Sequence, residues 1–295
     1  MCRRGLNYSF LIVSILAVTV LLAFAACGDD DTSGPTATKA ATGTAAAKID
    51  VSNVPELKDG KLLIGSDIAY APVEYYEEGT KNATGLDVDL AKALGQRLGV
   101  SVEFQQVADF SGIVGDLKVK RYDIVMSAIS ITPAREKDID FVPYFGPVGT
   151  GILTPKGNPK GFKALEDLCG KKVAAQVGTY QVDQVTALND GACKSNPINI
   201  TTFPDNPASV LELTVGRVDA QMADDPVVAY NAQQSGGKLE VAATGFETAT
   251  YGIGVRKDSP ALKSALEKAL KQIIDDGTYS KVLQKWGQEK FALKP

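Results

Sequence analysis

The 295-residue sequence predicts an α/β protein built on a mostly parallel sheet. Three observations carry that prediction. Short β-branched runs alternate with stretches whose leucines recur every four residues, the order expected of a sheet covered by helices. The stretch Asp123-Ile124-Val125-Met126-Ser127-Ala128-Ile129-Ser130-Ile131-Thr132-Pro133-Ala134-Arg135 reads as a buried strand running into a helix, since Thr132-Pro133 supplies a hydroxyl cap and a first-turn proline. Beyond Phe141-Val142-Pro143-Tyr144 the alternation begins again.

The chain opens on a basic start (Arg3, Arg4), an uncharged apolar stretch over 11–26 and small residues before Cys27, the pattern of an export signal over 1–26. The stretch is shorter than the roughly 20 residues of a usual membrane span. Residues 27–47, rich in Asp, Thr, Ser, Gly, Pro and Ala, have almost nothing to bury and are expected to form a flexible tether. Arg3 and Arg4 are the only charges before Cys27, so 31 basic residues less these two leaves 29, against 35 acidic ones. That balance, with no basic cluster, argues against nucleic acid. Histidine is absent, which removes every imidazole-based triad or metal site. Cys169 and Cys193 remain as an even pair in an exported chain, and a disulfide between them is expected.

In order, 62–67 reads as a buried first strand, and the turn after it carries Asp67 and Tyr70 to the carboxyl end of the sheet, where α/β proteins bind ligands. Asp67 is equally a turn cap and Tyr70 a core aromatic on these grounds alone. Leu86, Leu90, Leu94 and Leu98 mark a helix stopped by Gly99, with Asp87 and Asp89 placed to favour its dipole. A strand over 100–104 and a helix over 111–119 follow, and Phe110 between them packs in the core or stacks on a ligand. The junction at 130–135 gathers free N–H groups and the positive end of a helix, which suits an anion. Arg135 adds a planar fork that matches a carboxylate, or else pairs with Glu136 or Asp138 on a solvated face. An extended piece over 148–153, a short helix over 162–168 and a strand over 173–177 lead to Gly178-Thr179, a second junction of this kind. A further strand ends at Asp224-Asp225-Pro226, where Asp225 reads as the N-cap and Asp224 is free to point outward or to act as a plain turn acid. The last strand, over 249–255, precedes a helix starting at Ser259-Pro260 with Leu262, Leu266, Leu270 and Ile273-Ile274 as its buried stripe. Tyr279, Leu283 and Trp286 are read as core aromatics and apolar contacts of a final helix.

Gly85-Leu86-Asp87-Val88-Asp89-Leu90-Ala91-Lys92-Ala93-Leu94-Gly95-Gln96-Arg97-Leu98 resembles the signature of the polar amino-acid family (family 3) of extracellular solute-binding proteins, the receptors of ABC importers. Gly65-Ser66-Asp67 with Tyr70-Ala71-Pro72, Ser130-Ile131-Thr132-Pro133-Ala134-Arg135, Gly178-Thr179, and Gly216-Arg217-Val218-Asp219 leading to Asp224 fit at the expected spacing, so the likeness spans 61–286. Leu22-Ala23-Phe24-Ala25-Ala26-Cys27 likewise resembles a lipoprotein box, departing from it at Phe24, and implies that Cys27 is diacylated and anchors the protein outside the cytoplasm.

The family resemblance implies a two-lobe periplasmic-binding-protein-like fold of type II, hinged on two crossover strands. Lobe 1 would be 48–149 plus 250–295, and lobe 2 would be 150–249. It implies that Arg135 and Thr179 hold a ligand's α-carboxylate, and that Asp224, Ser130 and the backbone around Ala128 hold its ammonium. Tyr70 and Phe110 would sandwich its side chain. Many relatives have Ser or Gly where this chain has Ala128, so one hydroxyl contact is missing. The expected partners are a free amino acid, the permease subunits and, through the lipid, the membrane; no cofactor or metal is implied, and the protein is expected to be a monomer. Asp67 facing a cationic side chain points to Arg, Lys or another basic ligand, although relatives that bind Gln also carry an acid there. Glu74 and Tyr75 face either pocket or solvent. Two rival readings share these residues: a dehydratase acting on prephenate-like substrates with Glu74 or Asp67 as its acid, and a sensor for a membrane partner other than a permease.

Overall fold

The computed structural model describes residues 48–293. The leader over 1–26, the lipidation expected at Cys27 and the tether over 27–47 lie outside the described residues.

Strand β1 (Lys61–Ser66) opens the main sheet, and β2 (Ala69–Tyr70), β3 (Glu74–Tyr76) and β4 (Ala83–Thr84) form a small antiparallel sheet beside it. Helix α1 (Leu86–Leu98) buries all four leucines of the expected stripe and stops at left-handed Gly99. No side chain caps its start. Instead the N–H groups of Leu86 and Asp87 donate to the Pro72 and Val73 carbonyls at 3.2 and 2.9 Å. Gly85, at φ +132°, permits this approach, since a Cβ there would lie 2.1 Å from the Val73 oxygen. The clamp lays the first turn of α1 against the start of β3 and so brings Asp87 to Glu74.

After β5 (Ser101–Gln106) and α2 (Ile113–Lys118), strand β6 (Ile124–Val125) is shorter than the β-branched run suggests. Buried side-chain partners take over the backbone beyond it. Asp87 Oδ2 accepts the Ala128 N–H at 3.0 Å, and Ala128 itself stands at φ +47°. Helix α3 (Pro133–Glu136) is a single turn whose cap is as expected, with the Arg135 N–H donating to Thr132 Oγ1. Strand β7 (Asp140–Pro155) is one 16-residue strand where the sequence shows two pieces.

The chain continues through β8 (Lys172–Gln176), α4 (Tyr180–Asp190), β9 (Asn199–Phe203), α5 (Asn206–Thr214), β10 (Ala220–Asp224) and α6 (Asp225–Gln234). It ends with β11 (Leu239–Val255), α7 (Pro260–Asp275) and α8 (Thr278–Lys285). β11 begins ten residues earlier than the sequence-based strand. Ile274 is 40% exposed, because the stripe of α7 closes with Ile273.

The strand order is β5-β1-β6-β11-β7-β10-β8-β9. β1 pairs in parallel with β5 and β6, and β8 pairs in parallel with β9 and β10. Between these two parallel groups runs the long antiparallel ribbon of β7 and β11. β6 joins it at Gly254–Val255 and β10 at residues 150–153, so each group takes a different end of the ribbon. Helices α7 and α8 return to α1, where Arg97 pairs with Asp276, and Lys285 with Asp89 at 2.6 Å. In the second group Cys169 and Cys193 form the expected disulfide. The carboxyl ends of β1, β8 and β10 converge on one cavity, delivering Asp67, Gln176 to Thr179, and Asp224.

Candidate ligand site

The cavity holds about 300 Å³ of empty space, part of it open to solvent. All eight residues singled out in the sequence, Asp67, Tyr70, Phe110, Ala128, Ser130, Arg135, Thr179 and Asp224, line it. At one end Arg135 spans the cleft: its guanidinium donates to the Ser130 carbonyl at 2.7 Å and to the Gly178 carbonyl at 3.0 Å, and lies 5.7 Å from the centroid of the Phe110 ring. It pairs with neither Glu136 nor Asp138; Asp138 instead takes Lys118. Burial pulls the pKa of Arg135 down, opposed by the charges of Asp183 and Asp224. Thr179 precedes the first turn of α4, and its hydroxyl donates back to the Gln176 carbonyl at 2.8 Å. That leaves the N–H groups of the α4 amino terminus beside the guanidinium, a combination suited to a carboxylate.

At the other end stands Asp224, 6% exposed. Tyr251 donates to its Oδ2 at 2.6 Å and Tyr70 at 3.1 Å, while Gln181 donates to Oδ1 at 2.8 Å. Burial raises its pKa to about 6 in spite of the three donors. The capping expectation is corrected here. Asp224 itself occupies the N-cap position of α6, with its side chain turned into the cavity, whereas Asp225 accepts the Gly245 N–H.

A third corner holds Asp67 and Glu74. Asp67 Oδ1 accepts from Gln106 at 2.9 Å, and Oδ2 from Gln176 at 2.6 Å across the cleft. The Ser127 hydroxyl joins the two acids, accepting the Asp67 N–H at 2.9 Å and donating to Glu74 Oε1 at 3.0 Å. Glu74 therefore faces the pocket and not the solvent, at 1% exposure. Burial, reinforced by the Asp87 charge, raises its pKa well above the usual range. Asp87 lies behind it, accepting the Tyr144 hydroxyl at 2.7 Å and the Ala128 N–H, and its pKa is raised by burial to about 7.

Sequence reasoning missed Gln176, Gln181 and Tyr251, and it left Glu74 undecided. Gln176 and Gln181 flank the Gly178-Thr179 junction, and that proximity was a usable signal. Tyr251 carried none, since its hydroxyl reaches Asp224 from β11.

A cleft closed between two α/β groups, with polar side chains contributed from both, is the architecture of a two-lobe binding protein. The chain belongs to the bacterial extracellular solute-binding proteins, family 3, whose family model matches residues 62–289. It is 34% identical over 231 residues to the arginine-binding extracellular protein ArtP of Bacillus subtilis (strain 168), covering 77% of this chain and 86% of that one. An ancestral arginine-binding protein, solved with arginine and with glutamine, superposes with a TM-score of 0.71 at 35% identity, covering 77% and 78% of this chain and 98% and 99% of those. An ancestral amino acid-binding protein described as a precursor of cyclohexadienyl dehydratase superposes with a TM-score of 0.69 at 37% identity, covering 78% of this chain and 97% of that one. The family places the protein outside the cytoplasm, and no described helix is long and apolar enough to cross a membrane.

Proposed function

We propose that this protein is the substrate-binding receptor of an ABC importer and captures an amino acid with a cationic side chain. The observation that carries the reading is the make-up of the cavity wall: two carboxylates, Asp67 and Asp224, and the carboxyl group of Glu74, against the single cation Arg135. A zwitterion brings one charge of each sign. Arg135 with the α4 amino terminus takes the carboxylate, and Asp224 takes the ammonium, helped by Ser130 and the backbone at Ala128. Asp67 and the neighbouring Glu74 then remain to face a cationic side chain, which a buried carboxylate favours over a neutral one. Tyr70 and Phe110 flank the aliphatic stem. The arginine-binding relatives support this reading.

Lobe 1 (48–149 plus 250–295) and lobe 2 (150–249) turn on the β7/β11 ribbon. Arg135 and Asp67 come from one lobe, Thr179 and Asp224 from the other, so only the closed form satisfies the whole ligand. Closure is the signal to the permease. The monomeric receptor is held at the membrane by a lipid on Cys27.

We read the protein as a receptor and not an enzyme. The dehydratase reading draws on Glu74, a carboxyl group whose acid form is favoured by burial in the cavity. A thermal-shift screen against the twenty amino acids and prephenate, with hits recovered and analysed, separates the two. A ligand at 100 times its Kd adds about 2.7 kcal/mol of stability. Arginine or lysine shifting the melting temperature and coming back unchanged supports the receptor; conversion of prephenate overturns it. Arg135→Ala is expected to weaken the hit at least tenfold, about 1.4 kcal/mol.

A further inference from the structure

We propose that Glu74 is a specificity-determining residue that exchanges its own proton for the cationic end of the ligand's side chain. The inference rests on the amino-acid reading of the cavity and adds to it a proton count.

Glu74 and Asp87 are two carboxyl groups buried together, at 1% and 0% exposure. Every group facing Glu74 is an acid or a neutral donor. Asp87 comes from α1, Asp67 from the end of β1, Asp224 from the end of β10, Tyr70 from β2 and Ser127 from the segment after β6, while Tyr144 of β7 stands behind Asp87. The one cation lining the cavity, Arg135, is bound to the Ser130 and Gly178 carbonyls at the far end. Two carboxylates cannot both remain ionised in such a place.

The hydrogen bonds say where the proton resides. Asp87 is built as the carboxylate: Tyr144 donates to both of its oxygens at 2.7 Å, and the Ala128 N–H donates to Oδ2. Glu74 receives only the Ser127 hydroxyl, on Oε1; its Oε2 is buried and meets no donor. An oxygen without a donor, beside a carboxylate rich in them, is where a carboxylic acid keeps its hydrogen.

Glu74 thus enters the site neutral, through Ser127 alongside Asp67. A guanidinium or ammonium arriving there supplies the positive charge that the proton had supplied. Glu74 ionises, its proton leaves to the buffer, and the charge within the cavity is unchanged. A ligand with a neutral side chain leaves the proton where it is. The cavity discriminates between the two by electrostatic exchange, over and above shape.

The test is titration calorimetry of the purified protein at about pH 8, above the titration of Asp224, in several buffers of different ionisation enthalpy. Arginine is expected to release about one proton per molecule bound, and glutamine none. Over the same range the arginine affinity should rise up to tenfold per pH unit. Glu74→Gln should abolish the release and weaken arginine more than glutamine. Arginine binding without proton release, or a release unchanged in Glu74→Gln, overturns the proposal while leaving the receptor intact. Failure of the wild-type protein to bind any amino acid overturns the receptor reading itself. The wild-type count needs no variant, so the proposal stays testable should Glu74→Gln fail to fold.

Discussion

Gln176 crosses the cavity to donate its Nε2 to Asp67 Oδ2 at 2.6 Å, joining the end of β8 to the end of β1 over a sequence separation of 109 residues. Asp67 is thereby both a wall of the site and a link between its two sides. Asp67→Asn places an amide where two glutamine donors converge and removes the charge. We expect at least a tenfold loss of affinity for a cationic amino acid, about 1.4 kcal/mol, and a smaller change for glutamine. Calorimetry with both ligands checks this, and equal losses would count against a charge-selective role.

Gly178 marks a second close approach across the cleft. It stands at φ +74°, and a Cβ there would lie 2.5 Å from Ser111 Cα on the opposite side of the cleft. Gly178→Ala should retain the circular dichroism of the wild type, lose roughly 1–2 kcal/mol to left-handed backbone strain, and bind ligand at least tenfold more weakly. Wild-type affinity would show that binding does not need so close an approach.

The raised pKa of Asp224 sets a pH limit. In the proposed binding mode the ammonium requires the carboxylate, so below about pH 6 binding must first expel a proton from Asp224. For a ligand with a neutral side chain, affinity is expected to fall toward about tenfold per unit as pH drops below 6. The sign for stability without ligand is the reverse. The folded state holds this proton more tightly than the unfolded chain, so the contribution of Asp224 to stability is greatest near pH 4 and declines as pH rises through 6. Thermal melts from pH 4 to 7, with and without ligand, should show the gap between the two curves widening with pH.

The disulfide closes a loop with a sequence separation of 24. In the chain-entropy account, losing it destabilises the protein by about 3 kcal/mol. Cys169→Ala with Cys193→Ala should therefore lower the melting temperature by several degrees. Ligand affinity should not change, because neither cysteine lines the cavity.

What the sequence made legible follows from how each feature is encoded. Helix α1 is written in one face of leucines, and the junctions at Asp67, Arg135, Thr179 and Asp224 in strand-to-helix punctuation; the family resemblance chose among the alternatives there and added Ala128 to the eight cavity residues. The length of β7 was hidden because Pro143, Gly146-Pro147 and Gly149 read as breaks, yet the strand lies beside β11 with repeated register shifts that absorb them. Strand β9 and helix α5 are half-exposed and carry weak periodicity. Tyr251 and the pairing of Glu74 with Asp87 depend on backbone clamps between distant segments, and no local pattern records those. Ile274 was misread because two adjacent isoleucines cannot both face one stripe of a helix.

The return of α7 and α8 to α1 sets the order in which the molecule can be finished. The core beneath Val54, Leu62 and Leu86 also contains Leu262, Leu266, Tyr279 and Phe291, so it is sealed only by the last turns of the chain. The buried members of the cluster around Phe162, Val173 and Met222 lie within residues 152–222, and Ala242 and Phe246 pack against it from later in the chain. A polypeptide threaded outward from its amino end therefore completes its middle first and its beginning last. The segments that carry Asp67 and Glu74 acquire a firm backing only after α7 and α8 have emerged.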